Sequence, residues 1–136
     1  MTIFEALRQS HELQRTLTAK MLQTSGDTPD RHSLFATLKD ELAVHALAEE
    51  RHFYIPLMQL DPGVDLSRHA IAEHHAIDEL VEALQATDAS SPGWLPLARK
   101  LADKVTHHLH EEEQRFFQMA GKLLTDALKS TLAGGY

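Results

Sequence analysis

The sequence predicts an all-α protein, specifically an up-down-up-down four-helix bundle, and three observations lead to that class. Four long segments carry apolar residues at helical spacing, and short runs rich in glycine, proline and serine separate them. No segment shows the period-two alternation that is typical of a strand. The second half of the chain also repeats the first, because His11, His45 and Glu49 each have a counterpart of the same type 63 positions later. Short connections between four helices favour antiparallel neighbours.

Composition excludes several classes of protein. The 136 residues suit one domain with one core, which we expect at 1–128, followed by a flexible tail at 129–136. A net charge of −7 argues against nucleic acid or an anionic membrane surface as a partner. The absence of cysteine excludes disulfides and cysteine-ligated iron–sulfur clusters. No apolar run could span a bilayer and no signal sequence opens the chain, so we expect a soluble, cytoplasmic protein.

Turn residues and helix caps set the expected helix boundaries. Ser25-Gly26-Asp27 ends the first helix, and Thr28-Pro29 fits an N-cap followed by proline at the first helical position. Asp61-Pro62-Gly63 is expected to form the central turn between two hairpins, with Asp65 or Ser67 capping the third helix. The four helices are therefore expected at about 2–24, 29–60, 65–87 and 94–128.

Histidine and glutamate lie on the predicted apolar stripes, where charged residues are uncommon. At 100° per residue, His11 shares a helix face with Leu7, and the stripe of the second helix contains Leu42, His45 and Glu49. A carboxylate in such a stripe is informative because buried charges are normally paired or bound to metal.

Helical phase separates two pairs of adjacent histidines. His74 falls on the apolar face of the third helix, whereas His75 falls on the charged face. In the fourth helix His108 shares its face with apolar residues and with Glu112, whereas His107 lies among lysines and glutamates. The phase therefore predicts that His74, His108 and Glu112 point inwards.

The inward-facing polar residues predict a metal site. They are His11, His45, Glu49, His74, His108 and Glu112. Each His-x-x-x-Glu pair places a nitrogen and a carboxylate on one helix face. The alternative, a buried salt-bridge network, would cost roughly several kcal/mol of desolvation for each charge. Two carboxylates shared among four histidines suit two metals about 3.5–4 Å apart, and imidazole with carboxylate fits iron, manganese or zinc. His52 is left open between a cavity rim and a direct role.

The paired motifs resemble those of the hemerythrin-like (HHE cation-binding) domain family. The matching segments are His45-x-x-x-Glu49-Glu50 followed by an aromatic residue and Pro56, Glu73-His74, His108-x-x-x-Glu112-Glu113 with Phe116-Phe117, and the first-helix His11. The resemblance covers about residues 2–128. It implies two iron ions (Fe²⁺/Fe³⁺) with an oxo or hydroxo bridge, rather than manganese or zinc. It also implies that the four histidines are terminal ligands and the two glutamates are bridges.

One position departs from the oxygen-carrying members of that family. They have a further histidine four residues after the third-helix histidine, and Asp78 stands there in this chain. Their fourth-helix carboxylate is also one residue further from its histidine. The pattern is more similar to members with four histidines and two glutamates, which are linked to nitric oxide, iron–sulfur repair and redox chemistry. Asp78 is interpreted as a seventh ligand or as a residue that holds a water or a ligating histidine.

The resemblance leaves three functional hypotheses. The first is a di-iron protein that binds oxygen, nitric oxide, peroxide or another small oxidant, with redox, sensing or stress-response use. The second is a peroxidase-like or nitric-oxide-reducing enzyme. The third is an iron donor in iron–sulfur repair. No nucleophile–base arrangement is evident, so the chemistry would belong to the metal, and the sequence does not choose between binding and turnover.

Overall fold

The four predicted helices are present and form a bundle. The computed structural model describes residues 3–51 and 61–116. Its helices are α1 (Ile3–Leu22), α2 (Pro29–Glu49), α3 (Asp61–Gln85) and α4 (Trp94–Glu111), and a π-helical segment, Glu112–Phe116, follows α4. α1 packs against α2 and α4, and α3 packs against α4. These ranges contain no strand, so the predicted fold class is confirmed.

The predicted start of α2 is confirmed in detail. The Thr28 side chain accepts a hydrogen bond from the Arg31 backbone N–H at 3.3 Å, which satisfies one of the free donors of the first turn. Pro29 occupies the first helical position, where its missing N–H costs nothing. In the preceding loop Gly26 has a φ of 67°, a conformation that glycine adopts without a steric penalty.

The predicted central turn at Asp61-Pro62-Gly63 is wrong, because these residues lie within α3 (Asp61–Gln85). Proline fixes φ at about −65°, which suits a helix as well as a turn, so it does not by itself specify a turn. Asp65 and Ser67 consequently lie inside α3 and do not cap it. The predictions for 52–60, including His52, and for 117–136, including the tail, fall outside the described residues.

Both His-x-x-x-Glu-Glu segments leave α-helical geometry at their carboxylates. α2 ends at Glu49, and the next described residues, Glu50 and Arg51, are π-helical. α4 ends at Glu111, and the π-helical segment begins at Glu112. A π-helical turn shifts the angular position of the residues after it, and such turns occur frequently at functional sites. No described helix is both long and apolar enough to cross a membrane.

The apolar core fills the bundle between the inward-facing histidines and the α1–α2 and α3–α4 loops. Its largest fully buried members are Met21, Leu38, Leu84, Trp94, Leu101 and Leu109. Trp94 packs edge-on against Phe35 with ring centroids 6.2 Å apart. The Arg31 guanidinium lies 4.1 Å from the Trp94 ring centroid. This arrangement places a cation–π contact beneath the two loops.

Arg31 ties those two loops together. Its Nε donates to Thr24 Oγ1 at 2.9 Å, and a second guanidinium nitrogen donates to the Thr24 carbonyl at 2.7 Å. The remaining nitrogen donates to the Ala89 carbonyl at 2.7 Å. Arg31 is buried, so these bonds satisfy a charge that water does not reach.

We predict that Arg31→Ala destabilises the bundle by about 2–4 kcal/mol, because a buried carbonyl loses its donor and Trp94 loses a packing partner. Urea unfolding followed by circular dichroism measures the change. Arg99→Ala, which removes an exposed arginine of α4, is the control and should change stability by less than about 0.5 kcal/mol. Equal effects of the two substitutions would show that the Arg31 network adds nothing to stability.

Candidate metal centre

The six side chains predicted as metal ligands are all buried, each at most 6% exposed. α1 supplies His11, α2 supplies His45 and Glu49, α3 supplies His74, α4 supplies His108, and Glu112 opens the π-helical segment. Every helix of the bundle therefore contributes at least one of these residues. That they bind metal remains a prediction, and the geometry shows what they could do together.

The six residues form two groups of four that share both carboxylates. In the first group, donor atoms of His11, His45, Glu49 and Glu112 all lie within 4.8 Å of one another. In the second group the same holds for His74 and His108 with the same two glutamates. Glu49 and Glu112 therefore stand between two histidine pairs. This is the placement that two carboxylate-bridged metal ions require.

The donor atoms have the spacing of ligands around a metal. His45 Nε2 lies 2.9 Å from Glu49 Oε1, and His74 Nε2 lies 3.1 Å from the same oxygen. Glu112 Oε1 lies 3.0 Å from the Nε2 of His11, and its Oε2 lies 3.2 Å from the Nε2 of His108. Donors bound to one metal at about 2.0–2.2 Å are separated by roughly 3 Å. The set is therefore compact enough to hold metal ions.

His108 gives a further test of that fit. Both of its ring nitrogens are buried, and neither makes a hydrogen bond within the described part of the chain. Its Nε2 contacts Glu112 Oε2, but without the angles of a hydrogen bond. Buried polar nitrogens without a hydrogen bond are uncommon and need a physical reason. A metal ion would bind the lone pair of Nε2 and supply that reason.

Two of the histidines have a polar partner on the nitrogen that faces away from the shared carboxylates. His11 Nδ1 lies 2.9 Å from Glu113 Oε2, and Arg15 binds the same carboxylate through two nitrogens at 2.7 and 3.1 Å. His45 Nδ1 lies 2.7 Å from Ser10 Oγ. Polar partners of this kind fix the orientation and tautomer of a ligating imidazole.

Comparison with known proteins agrees with this geometry. The family model described as the hemerythrin HHE cation-binding domain matches residues 2–120. The chain belongs to this family. Its bundle is similar to the crystal structure of a hemerythrin HHE cation-binding domain-containing protein from Mycobacterium kansasii. The TM-score is 0.89 at 25% identity, covering 98% of this chain and 82% of that one. The recognition of an HHE domain from the sequence is confirmed, and a buried His/Glu cluster able to hold metal is present.

A curated relative has a different description. A protein of Nostoc sp. described as a DNA nickase is 29% identical to this HHE domain over 117 residues. The match covers 86% of this chain but 33% of that protein, so the chain spans about a third of the relative's length. Sequence similarity alone therefore does not assign the activity of the whole relative to this domain.

Without a bound metal, protons would balance the charge of this HHE centre. Burial raises the pKa of the Glu49 carboxyl, but the nearby His45 charge and hydrogen bonding within the cluster outweigh it and hold that pKa well below its ordinary value. Burial lowers the pKa of His74, but hydrogen bonding to Glu49 and the surrounding negative charge raise it to about 9. The pKa of His11 is raised in the same way by Glu112 against the effect of burial. Metal binding must therefore displace protons.

The helical-phase predictions for the exposed histidines agree with the structure. His75 and His107 are exposed, while their neighbours His74 and His108 are buried. A third group of possible ligands, His69, Glu73 and Glu111, lies at the surface between α3 and α4. Lys104 Nζ contacts Glu73 Oε2 at 2.5 Å and lowers the pKa of that carboxyl against the effect of burial. We interpret this group as an ion-pair network beside the centre.

Sequence reasoning missed the residues around the ligands. Glu113 follows the motif glutamate directly, but nothing in the sequence says that it reaches His11 on another helix. Gln14 lies on the apolar face of α1, three residues after His11, and it is buried. A polar residue on the apolar stripe is a sequence signal that could have identified Gln14. Asp78 belongs to neither ligand group; it is exposed and lines a small cavity beside His74.

We predict that His108→Ala lowers the metal content of the folded HHE domain, because the second group then keeps three of its four donors. His107→Ala is the matched control, since it removes the neighbouring, exposed imidazole. Metal per chain is measured by elemental analysis after reconstitution, and circular dichroism verifies folding. Loss of metal in the control and retention in His108→Ala would mean that the wrong histidine has been assigned.

We also predict that metal-free protein loses stability as pH rises from 6.5 to 9. The folded-state pKa of His74, about 9, lies above its ordinary value of 6.5, so the folded chain binds this proton more tightly than the unfolded chain. The resulting stabilisation is complete below pH 6.5 and is lost as pH passes through 9. Thermal unfolding across this range measures it, and His74→Leu should flatten the slope. A melting temperature that rises over the same range would contradict the assignment.

Proposed function

We propose that this HHE domain holds two iron ions at a carboxylate-bridged site and binds oxygen, nitric oxide or another small oxidant there, with redox, sensing or stress-response use. The observation that supports this is the sharing of Glu49 and Glu112 by two groups of four donors. A site for one metal needs a single group. Two groups with common carboxylates fit two ions held side by side.

The donor set is compatible with iron. It consists of imidazole nitrogens and carboxylate oxygens, and the chain contains no cysteine to supply thiolate. Such donors suit iron, manganese or zinc, and family membership favours iron among them. When bound, an iron pair supplies electron-transfer chemistry and open coordination positions for small ligands.

The chain's own residues would hold and orient the ions. His11 and His45 would bind one ion, His74 and His108 the other, and the two glutamates would bridge them. Arg15 donates hydrogen bonds to the Glu113 carboxylate, and His11 Nδ1 forms a hydrogen bond with the same carboxylate. The His11 ring is therefore held with its Nε2 towards Glu112. Burial of all six side chains keeps water from competing with the histidines.

Asp78 bears on which small-ligand function is favoured. Asp78 lines a cavity together with His45, His74 and His108, at the position where the oxygen-carrying members of the family have a histidine. Negative charge beside the ions stabilises their oxidised state. We therefore propose oxidation of the reduced site by air rather than reversible oxygen carriage. DNA nicking is not proposed, because a net charge of −7 disfavours a polyanionic partner.

Iron reconstitution followed by absorption spectroscopy tests this function. We expect about two iron ions per chain, charge-transfer bands in the oxidised protein, and spectral changes on adding nitric oxide or peroxide. Reduced protein mixed with oxygenated buffer in a stopped-flow instrument should oxidise without a stable adduct. Glu49→Gln should reduce iron content, whereas Glu79→Gln, an exposed glutamate of α3, should not. Fewer than one iron per wild-type chain would refute the proposal.

A further inference from the structure

The Gln14 side chain is a buried donor without a partner. Gln14 is 2% exposed, and its Nε2 has no hydrogen-bond partner within the described part of the chain. Leaving such a group unsatisfied lowers folding stability, because the donor loses its hydrogen bonds to water and gains none in return. Leucine or methionine would fill the same position on the apolar face of α1 without that cost. Position 14 therefore carries an amide, although an apolar side chain there would make the folded state more stable.

Gln14 is one of the residues that line a cavity at the candidate metal centre. Gln14 lines this cavity together with Leu42, His45, Ala46, His74, Ile77, Asp78 and His108. The volume open to the centre of a water-sized molecule is about 10 Å³. That is roughly the space that one water molecule needs. Three of the predicted metal-binding histidines thus line the same small cavity as Gln14.

The internal repeat shows that this donor is present on one side only. The offset of 63 that carries His11 to position 74 and His45 to position 108 carries Gln14 to position 77, which is isoleucine. Ile77 lines the same cavity from α3. The predicted ligands are therefore matched between the two halves, while the cavity wall has a donor on the α1 side and an apolar side chain on the α3 side.

We infer that Gln14 is a ligand-binding residue, whose Nε2 donates a hydrogen bond to a small acceptor-bearing ligand in this cavity. The chemical class is a small anion or diatomic molecule with a lone pair available, such as azide, hydroxide or nitric oxide. The inference rests on the proposed function, because the iron pair would hold such a ligand beside the amide. The donor orients the ligand towards α1 and favours ligands that accept a hydrogen bond.

Azide binding to the oxidised, iron-loaded protein tests the inference. Gln14→Met keeps the length of the side chain and removes the donor, so the azide dissociation constant should rise about five- to tenfold. The infrared stretching band of bound azide should shift with it. Gln9→Met, an exposed glutamine of α1, is the matched control and should leave both quantities unchanged. Unchanged affinity and an unchanged band in Gln14→Met would overturn the inference.

Stability of the metal-free protein provides a readout that needs no iron. Gln14→Met and Gln14→Leu should leave the melting temperature unchanged or raise it, because each removes an unsatisfied donor. If Gln14 served packing alone, both substitutions would lower the melting temperature and azide affinity would not respond. A clear fall in both variants would therefore count against the inference.

The internal repeat suggests a double variant that moves the N–H donor from the α1 side to the α3 side of the cavity. Gln14→Ile with Ile77→Gln places the amide on the α3 side of the cavity, and azide affinity should recover relative to Gln14→Ile alone. No recovery in an iron-loaded double variant would contradict a donor role. Iron content separates the two proposals: wild-type protein that binds no iron refutes the proposed function, whereas iron-loaded variants with wild-type azide affinity refute only the role of Gln14.

Discussion

The two shared carboxylates are the constraint on which the rest of this bundle depends. Glu49 and Glu112 are fully buried, and each belongs to both groups of possible metal ligands. A carboxylate in such a place is tolerated only with a compensating cation. Without a bound metal, protons would supply that compensation, because hydrogen bonding to Glu49 and the surrounding negative charge raise the pKa of His74 against the effect of burial. Four imidazoles from four helices must therefore converge on two oxygen pairs, which fixes the relative positions of the helices.

The contacts at the centre also bind the two hairpins to each other. Glu112 of the second hairpin contacts His11 of the first, and Glu49 of the first contacts His74 of the second. The glutamate that follows each motif carboxylate also contacts the other hairpin. Glu113 lies beside His11, and Glu50 Oε1 lies 3.5 Å from His74 Nδ1. Neither hairpin can complete the centre alone. Occupancy of the centre and association of the hairpins are consequently linked.

The sequence predicted the parts of this arrangement that depend on helical phase. His74 could be distinguished from His75 because a helix fixes the angle between successive side chains, whatever lies around it. The contact between Glu113 and His11 could not be predicted, because it depends on the distance and rotation between helices. The helical conformation of residues 61–63 was missed because the φ that proline fixes suits a helix as well as a turn. Local rules do not choose between those two outcomes.

The same offset that reveals the repeated ligands also reveals where the halves differ. Arg15, which neutralises Glu113 beside His11, corresponds to Asp78, which adds negative charge near His74. Gln14 corresponds to Ile77. The two groups of donors therefore have the same composition in different electrostatic surroundings. Ions held by the two groups would therefore differ in affinity and in reduction potential. Such inequivalence would let a symmetric set of ligands hold a small molecule in one preferred orientation.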